Sequence, residues 1–222
     1  MRYRRRIRYR SRRSLSHRRK RLRRIRYRRV PRRSKSGNLF MKITIADNFA
    51  TVPGQNTIYP LQFTPANFQE WANLKDNFES SKFYKLRVRV LPVQNISDNA
   101  NTDLVPPYCM LPWHMPVPLN ASNDFNRFMS VDKAKIFRGT SVGKMTFNLN
   151  TIMSIKTDTG VASTTVSWRP RIEHCLTNAG DTAIYSGIIV FQGLGSITQQ
   201  SHYTIVQDIY VRMINQRTIL CS

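Results

Sequence analysis

The 222-residue sequence predicts an all-β body, an antiparallel sandwich, behind an amino-terminal segment that does not fold by itself. Three observations predict this. Short stretches that alternate apolar and polar residues recur along the chain, the pattern of half-buried strands. A single stretch has helical spacing. Runs rich in proline, glycine and asparagine separate the rest, and short strands joined by long loops make a sandwich.

Residues 1–36 hold 20 Arg and Lys and no Asp or Glu; the first acidic residue of the chain is Asp47. The apolar residues here, Ile7, Leu15, Leu22, Ile25 and Val30 with Tyr3, Tyr9 and Tyr27, keep no helical or strand period. Their small area does not offset the entropy of ordering the segment, and packing them would press Arg against Arg. A disordered arm that takes shape only on a polyanion is expected, with Ser34 to Gly37 as linker. Residues 37–222 then form one domain, a length that buries roughly 70% of its unfolded surface.

Leu39 to Ala50 reads as a strand, with Phe40, Lys42 and Thr44 alternating against Met41, Ile43 and Ile45. Thr57 to Phe63 is the second, after the Pro53-Gly54 turn. Thr64-Pro65 opens the one short helix, Thr capping and Pro at the first position. Phe68, Trp71 and Leu74 supply its apolar side, and it ends near Lys75. Phe83 to Val90 is the cleanest strand. Its alternation puts Tyr84, Leu86, Val88 and Val90 on a core face and Lys85, Arg87 and Arg89 on the other.

Residues 95–107 read as a long loop. Pro106, Pro107, Pro112, Pro116 and Pro118 exclude a central strand through most of the region they occupy. Further strands are expected at Lys135 to Arg138, Lys144 to Leu149, Thr164 to Trp168, Ile184 to Gln192 and Tyr203 to Ile214. The run Ile188-Ile189-Val190-Phe191 predicts a strand buried on both faces.

Charge is segregated. The chain is +24 overall, yet residues 37–222 keep 16 basic and 12 acidic residues, a balance of only +4. No apolar run is long enough to cross a bilayer, so no membrane insertion is expected, and no apolar stretch near the start marks a secretory signal. Three cysteines, Cys109, Cys175 and Cys221, are too few and too odd for a disulfide framework. The glycosylation-type triplets Asn95-Ile-Ser97 and Asn120-Ala-Ser122 are read as unused for want of a secretory route.

Enzymatic and metal motifs fail on spacing. Gly139 to Lys144 resembles a phosphate loop, but three residues separate its glycines where four are needed, and Met145 stands where Ser or Thr should. Cys109 and His114 have no second pair at zinc-finger spacing, nor do His174 and Cys175. His17 and His202 stand alone. Buried thiols and hydrogen-bonded imidazoles are the expectation; no catalytic residue, metal or cofactor is assigned.

The arm carries the functional signal. Each phosphate it neutralises releases counterions, so binding grows with cationic count and falls steeply with salt. Arg outnumbers Lys 18 to 2, giving planar forks for phosphate and faces for bases. The nucleic-acid contacts assigned are Arg2, Arg4, Arg5, Arg6, Arg8, Arg10, Arg12, Arg13, Arg18, Arg19, Lys20, Arg21, Arg23, Arg24, Arg26, Arg28, Arg29, Arg32, Arg33 and Lys35. Arg18, Arg19, Lys20, Arg21, Arg23 and Arg24 also suit nuclear import. On the body, the face of Lys85, Arg87 and Arg89 is either a solvated strand surface or the lining of an anionic lumen. Arg87 and Arg89 are its candidates for nucleic-acid contact, and Arg138, Lys144, Arg169 and Arg171 are candidates to join them.

A polybasic arm fused to a near-neutral all-β body resembles the capsid proteins of small circular single-stranded DNA viruses, the circoviruses and cycloviruses. The start Met1-Arg2-Tyr3-Arg4-Arg5-Arg6 is similar. So are the basic-flanked strand from Phe78-Glu79-Ser80-Ser81 to Val90 and the final strand Tyr203-Thr-Ile-Val-Gln-Asp-Ile-Tyr-Val-Arg212. The resemblance implies an eight-stranded antiparallel jelly roll and a T=1 icosahedral shell of sixty copies. It implies arms directed inward onto a single-stranded DNA genome, import receptors that carry the chain to the host nucleus, and residence in the virion. Attachment to a host-cell receptor, an anionic glycan by analogy, would fall to exterior loops near residues 95–130. The alternative is a cellular nucleic-acid-binding protein of ribosomal type with a basic tail, whose body would carry more positive charge than +4. An organelle-imported protein with a cleaved arm is a third reading, weakened by the arm's missing apolar face.

Overall fold

Two 15-residue strands paired along their length set the frame. In the computed structural model, β11 (His202–Gln216) lies antiparallel to β3 (Phe78–Pro92), and β1 (Leu39–Ala50) covers the other edge of β11. β6 (Gly143–Asn148) completes the order β1-β11-β3-β6, with the short β9 (Arg171–Glu173) beside the start of β3. The described residues are 37–93, 105–117, 124–156, 162–175, 179–193, 195 and 200–217. The whole assigned arm, Arg2 to Lys35, lies outside them, as do Cys221 and both glycosylation-type triplets.

The second sheet is built on β10 (Ile184–Phe191), with β2 (Thr57–Phe63) on one side and β4 (Tyr108–Pro112) then β5 (Lys135–Phe137) on the other. Together the orders β1-β11-β3-β6 and β2-β10-β4-β5 make the eight-stranded antiparallel jelly roll. A hairpin of β7 (Asn150–Lys156) and β8 (Ala162–Trp168) extends the second sheet through a single pairing of Asn150 with Tyr185.

The core between the sheets takes alternate residues from each: Phe83, Leu86, Val88, Ile205 and Ile209 from one, Leu61, Phe63, Tyr108, Ile189 and Phe191 from the other. The second sheet is covered on its far face too. There Cys109, Leu111, Ile188 and Val190 pack under Phe125 and Phe128 of α2 (Phe125–Met129). This is why Ile184–Phe191 is apolar at successive positions, as its sequence predicted. Gly187 sits where the ring of Phe147 and the carbonyl of Leu111 approach; a Cβ there would meet them at 2.6 and 2.7 Å.

Four expectations are corrected. A strand buried from Tyr108 to Leu111, β4, runs through the proline-rich region, because Pro106 and Pro107 precede its start and Pro112 closes its end, leaving Tyr108 to Leu111 free to donate. The predicted helix is split: a 3₁₀ turn at Pro65–Asn67 and α1 (Gln69–Lys75) flank an extended Phe68, whose ring packs 5.4 Å from that of Phe63. Thr64 makes no capping hydrogen bond. A second helix, α2, exists, capped by Asp124, whose Oδ1 accepts from the Asn126 N–H at 3.0 Å. Lastly, Tyr84 does not share the core face with Leu86. Phe83 lies opposite Val211 and Lys85 opposite Tyr210, so Tyr84 is the extra residue of a β-bulge. Phe83 and Leu86 therefore both point inward, and Tyr84 and Lys85 are left on the other side.

Candidate nucleic-acid interface

The first sheet leaves its outer face uncovered by any described element. Strand alternation sends Lys42 of β1, Lys82, Lys85, Arg87 and Arg89 of β3, Lys144 of β6 and Arg212 of β11 to that face. Register brings them together: Arg89 lies opposite Lys144, Lys82 opposite Arg212, and Lys42 and Lys85 flank Tyr210 from either side. Like charges directly opposed across strands destabilise a sheet unless an anion sits over them.

Asp208 is the one carboxylate these four strands turn to this face. It is 3% exposed and sits opposite Thr44 and Arg87. Its Oδ1 accepts from Thr44 Oγ1 at 2.9 Å and lies 3.5 Å from Lys42 Nζ; its Oδ2 is 3.4 Å from Arg89 Nη2. Burial works against the charge, but the Thr44 hydrogen bond and the charges of Arg89 and Lys42 outweigh it and hold the carboxyl below its usual range. Arg89 Nε and Arg212 Nε are buried and have no protein partner among the described residues.

Of the residues assigned from sequence, Arg87, Arg89, Lys144 and Lys85 stand on this face, and Arg169 lines a cavity on it. Arg171, on β9, is taken up by Glu173 at 2.8 Å and donates to Ser80 Oγ at 2.9 Å. Arg138 does not join the face; it lies in the turn after β5, where its carbonyl accepts from Ser141 N–H at 2.9 Å. Lys42, Lys82 and Arg212 escaped sequence reasoning. The alternation of Phe40, Lys42 and Thr44 was legible, but only the pairing partner of each strand decides which polar faces adjoin.

The expectation of buried thiols and hydrogen-bonded imidazoles holds for Cys109 and His174, while Cys175 and His202 are exposed. His174 Nδ1 lies 2.7 Å from the Lys75 carbonyl and 2.8 Å from that of Phe78, with its ring edge-on to Trp71. His114 packs edge-on against Trp168. Burial lowers the pKa of both. Cys109 is fully buried, and burial pushes its thiol up to about 11; Cys175 is exposed. No helix among the described residues is long and apolar enough to cross a membrane.

The body begins at Gly37, whose carbonyl accepts from Gln216 N–H at 2.9 Å, and enters β1 with Leu39 opposite Met213. The chain thus enters the body at the edge strand of the basic sheet.

Known proteins resemble both sequence and fold. The family model of the circovirus capsid protein matches residues 2–217. The capsid protein of Human associated cyclovirus 1 is 36% identical over 191 residues, covering 83% of this chain and 85% of its own. Among solved structures, a 60-mer of the BFDV capsid protein superimposes with a TM-score of 0.61 at 13% identity, covering 85% of this chain and 99% of that one. A decamer of the BFDV capsid protein gives 0.53 at 13% identity, covering 79% and 98%. At that identity the structures establish a shared jelly roll. The family model and the cyclovirus relative establish descent, which sets aside the ribosomal-type alternative: the chain belongs to the circovirus capsid protein family.

Proposed function

We propose that this viral capsid protein builds a closed shell from copies of itself and packages circular single-stranded DNA against its basic surfaces. The arm, Arg2 to Lys35, is the principal contact and the outer face of the first sheet the second. The observation that carries this reading is continuity of charge. An arm of 20 basic residues runs in sequence into the edge strand of a sheet whose open face carries seven cations around one buried carboxylate. Packaging is then a counterion-release reaction, and one polyanion ties together many weak contacts between bodies. The BFDV capsid protein, which forms a 60-mer and a decamer, supports a sixty-copy T=1 shell. The cluster Arg18, Arg19, Lys20, Arg21, Arg23 and Arg24 directs nuclear import, and the parts of residues 95–130 outside the buried β4 and the α2 helix attach to an anionic glycan on the host cell.

Electron microscopy of the purified protein tests assembly: uniform closed particles are expected, and soluble monomers overturn the reading. Deletion of residues 2–36 tests the division of labour. The truncated chain should keep its β-sheet circular dichroism and lose most salt-sensitive DNA retention. Retention with an unchanged salt slope would move the principal contact to the body.

A further inference from the structure

The basic face carries an open cavity of about 620 Å³ whose lining includes Phe40, Tyr84, Tyr210, Lys42, Lys85 and Arg169. Three aromatic rings on the open face of a sheet are not explained by the core, which lies on the other side. Phe40 is 69% exposed. Each ring carries a cation near it: Lys85 Nζ stands 4.6 Å from the Tyr210 ring centroid, the Arg212 guanidinium 5.1 Å from Phe40, and Lys82 Nζ 5.8 Å from Tyr84. Phosphate-binding groups therefore stand beside flat apolar surfaces.

Two backbone irregularities meet at this cavity. The β-bulge at Tyr84 turns that ring out of the core and onto the face, and bulges re-aim side chains at functional sites. Arg169 holds a left-handed φ of 53°, with its N–H bonded to the Leu149 carbonyl at 2.8 Å. Such a conformation is disfavoured for a side-chain-bearing residue and persists where the surroundings impose it. It ends β8 at the rim of the cavity.

We infer that this cavity seats an unpaired nucleotide, with a base stacked on the Tyr84, Tyr210 or Phe40 ring and its phosphates held by Lys42, Lys85 and Arg169. The inference rests on the proposed nucleic-acid role of the face and adds a division of labour. Charge, the main contribution of the arm, does not by itself favour a single strand over a duplex. A duplex keeps its bases stacked inside, whereas a ring on the protein can take only a base that is free to leave its neighbours. The body then adds a preference for single strands that does not depend on the arm's charge.

The test uses the full-length chain and fluorescence anisotropy with three labelled probes of equal length: oligo-dT, oligo-rU and a DNA duplex. Tyr84→Ala and Tyr210→Ala should each weaken oligo-dT binding about five- to one-hundred-fold, leave duplex binding within about two-fold, and leave the salt slope unchanged. Tyr84→Phe should restore it, and Lys42→Gln should lower the slope. A matching loss with oligo-rU means that the seat reads the base regardless of sugar; a loss with oligo-dT alone means that it also rejects the 2′-hydroxyl; both support it. An unchanged ratio of single-strand to duplex affinity in both alanine variants overturns it. Where a variant misfolds, photocrosslinking of bromouracil-substituted oligonucleotide to the wild-type chain decides. Adducts on Phe40, Tyr84 or Tyr210 support the seat, and adducts confined to residues 1–36 overturn it. Wild-type binding that ignores salt would instead defeat the packaging reading itself.

Discussion

Asp208 shows how one residue can hold a basic surface together. Its carboxylate ties β1, β11 and β3 through Thr44, Lys42 and Arg89, and without it the face has only repulsion. Asp208→Ala should lower unfolding stability by about 1–3 kcal/mol, because hydrogen bonds to a buried charge are lost. A shifted urea midpoint at unchanged slope checks this. The folded carboxyl titrates below its unfolded value of about 3.9. Its contribution is therefore complete above that pH and disappears as pH falls through the lower folded value. The stability gap between wild type and Asp208→Asn should be flat from neutrality down to about pH 5 and narrow in more acid solution. Trp71 is a second anchor, 1% exposed and donating from Nε1 to Ser81 Oγ at 3.1 Å. Trp71→Ala should cost about 3–5 kcal/mol by the same measurement.

At the scale of elements, the bulge in β3 decides more than any propensity. Side-chain period in a strand is two, so one inserted residue reverses the facing of everything before it. Deleting Tyr84 removes the extra residue and restores regular alternation, with Phe83 still opposite Val211 and Lys85 opposite Tyr210, so the shortened chain should stay soluble and lose only the ring that the bulge puts on the basic face. Tyr84→Ala keeps the bulge and should also stay folded; soluble yield and circular dichroism check both variants. The sequence could not reveal the bulge, since Tyr84 fits a core face as well as Leu86 does. β4 was hidden for a different reason. Prolines exclude a central strand only where an N–H must donate, and here they stand at its margins. α2 has two apolar residues, Phe125 and Phe128, on its buried side in five positions, too few to show a helical period.

For the whole molecule the governing quantity is the separation of charge between a +20 arm and a +4 body. Electrostatic binding should scale with the arm. Replacing the six residues of the import cluster by Gln should reduce the slope of log affinity against log salt for single-stranded DNA by about four, at roughly 0.7 per contact removed. A slope unchanged within error would mean that those residues do not touch the nucleic acid. The layering of the fold follows the same asymmetry. One sheet is buried on both faces, by the core and by α2, while the other exposes its cations.

The sequence alone determined the long strands and the concentration of basic residues in positions 1–36 with no second comparable charge run, because period-two alternation and net charge are properties of the chain read in order. It also placed Lys85, Arg87 and Arg89 on one face, as those three come after the bulge. Only tertiary structure decided that Lys42, Lys144 and Arg212 join them, that Asp208 sits among them, and that Phe40, Tyr84 and Tyr210 meet in one cavity. Those residues lie on four strands far apart in sequence, and adjacency between strands is set by pairing order and register, which no local pattern encodes.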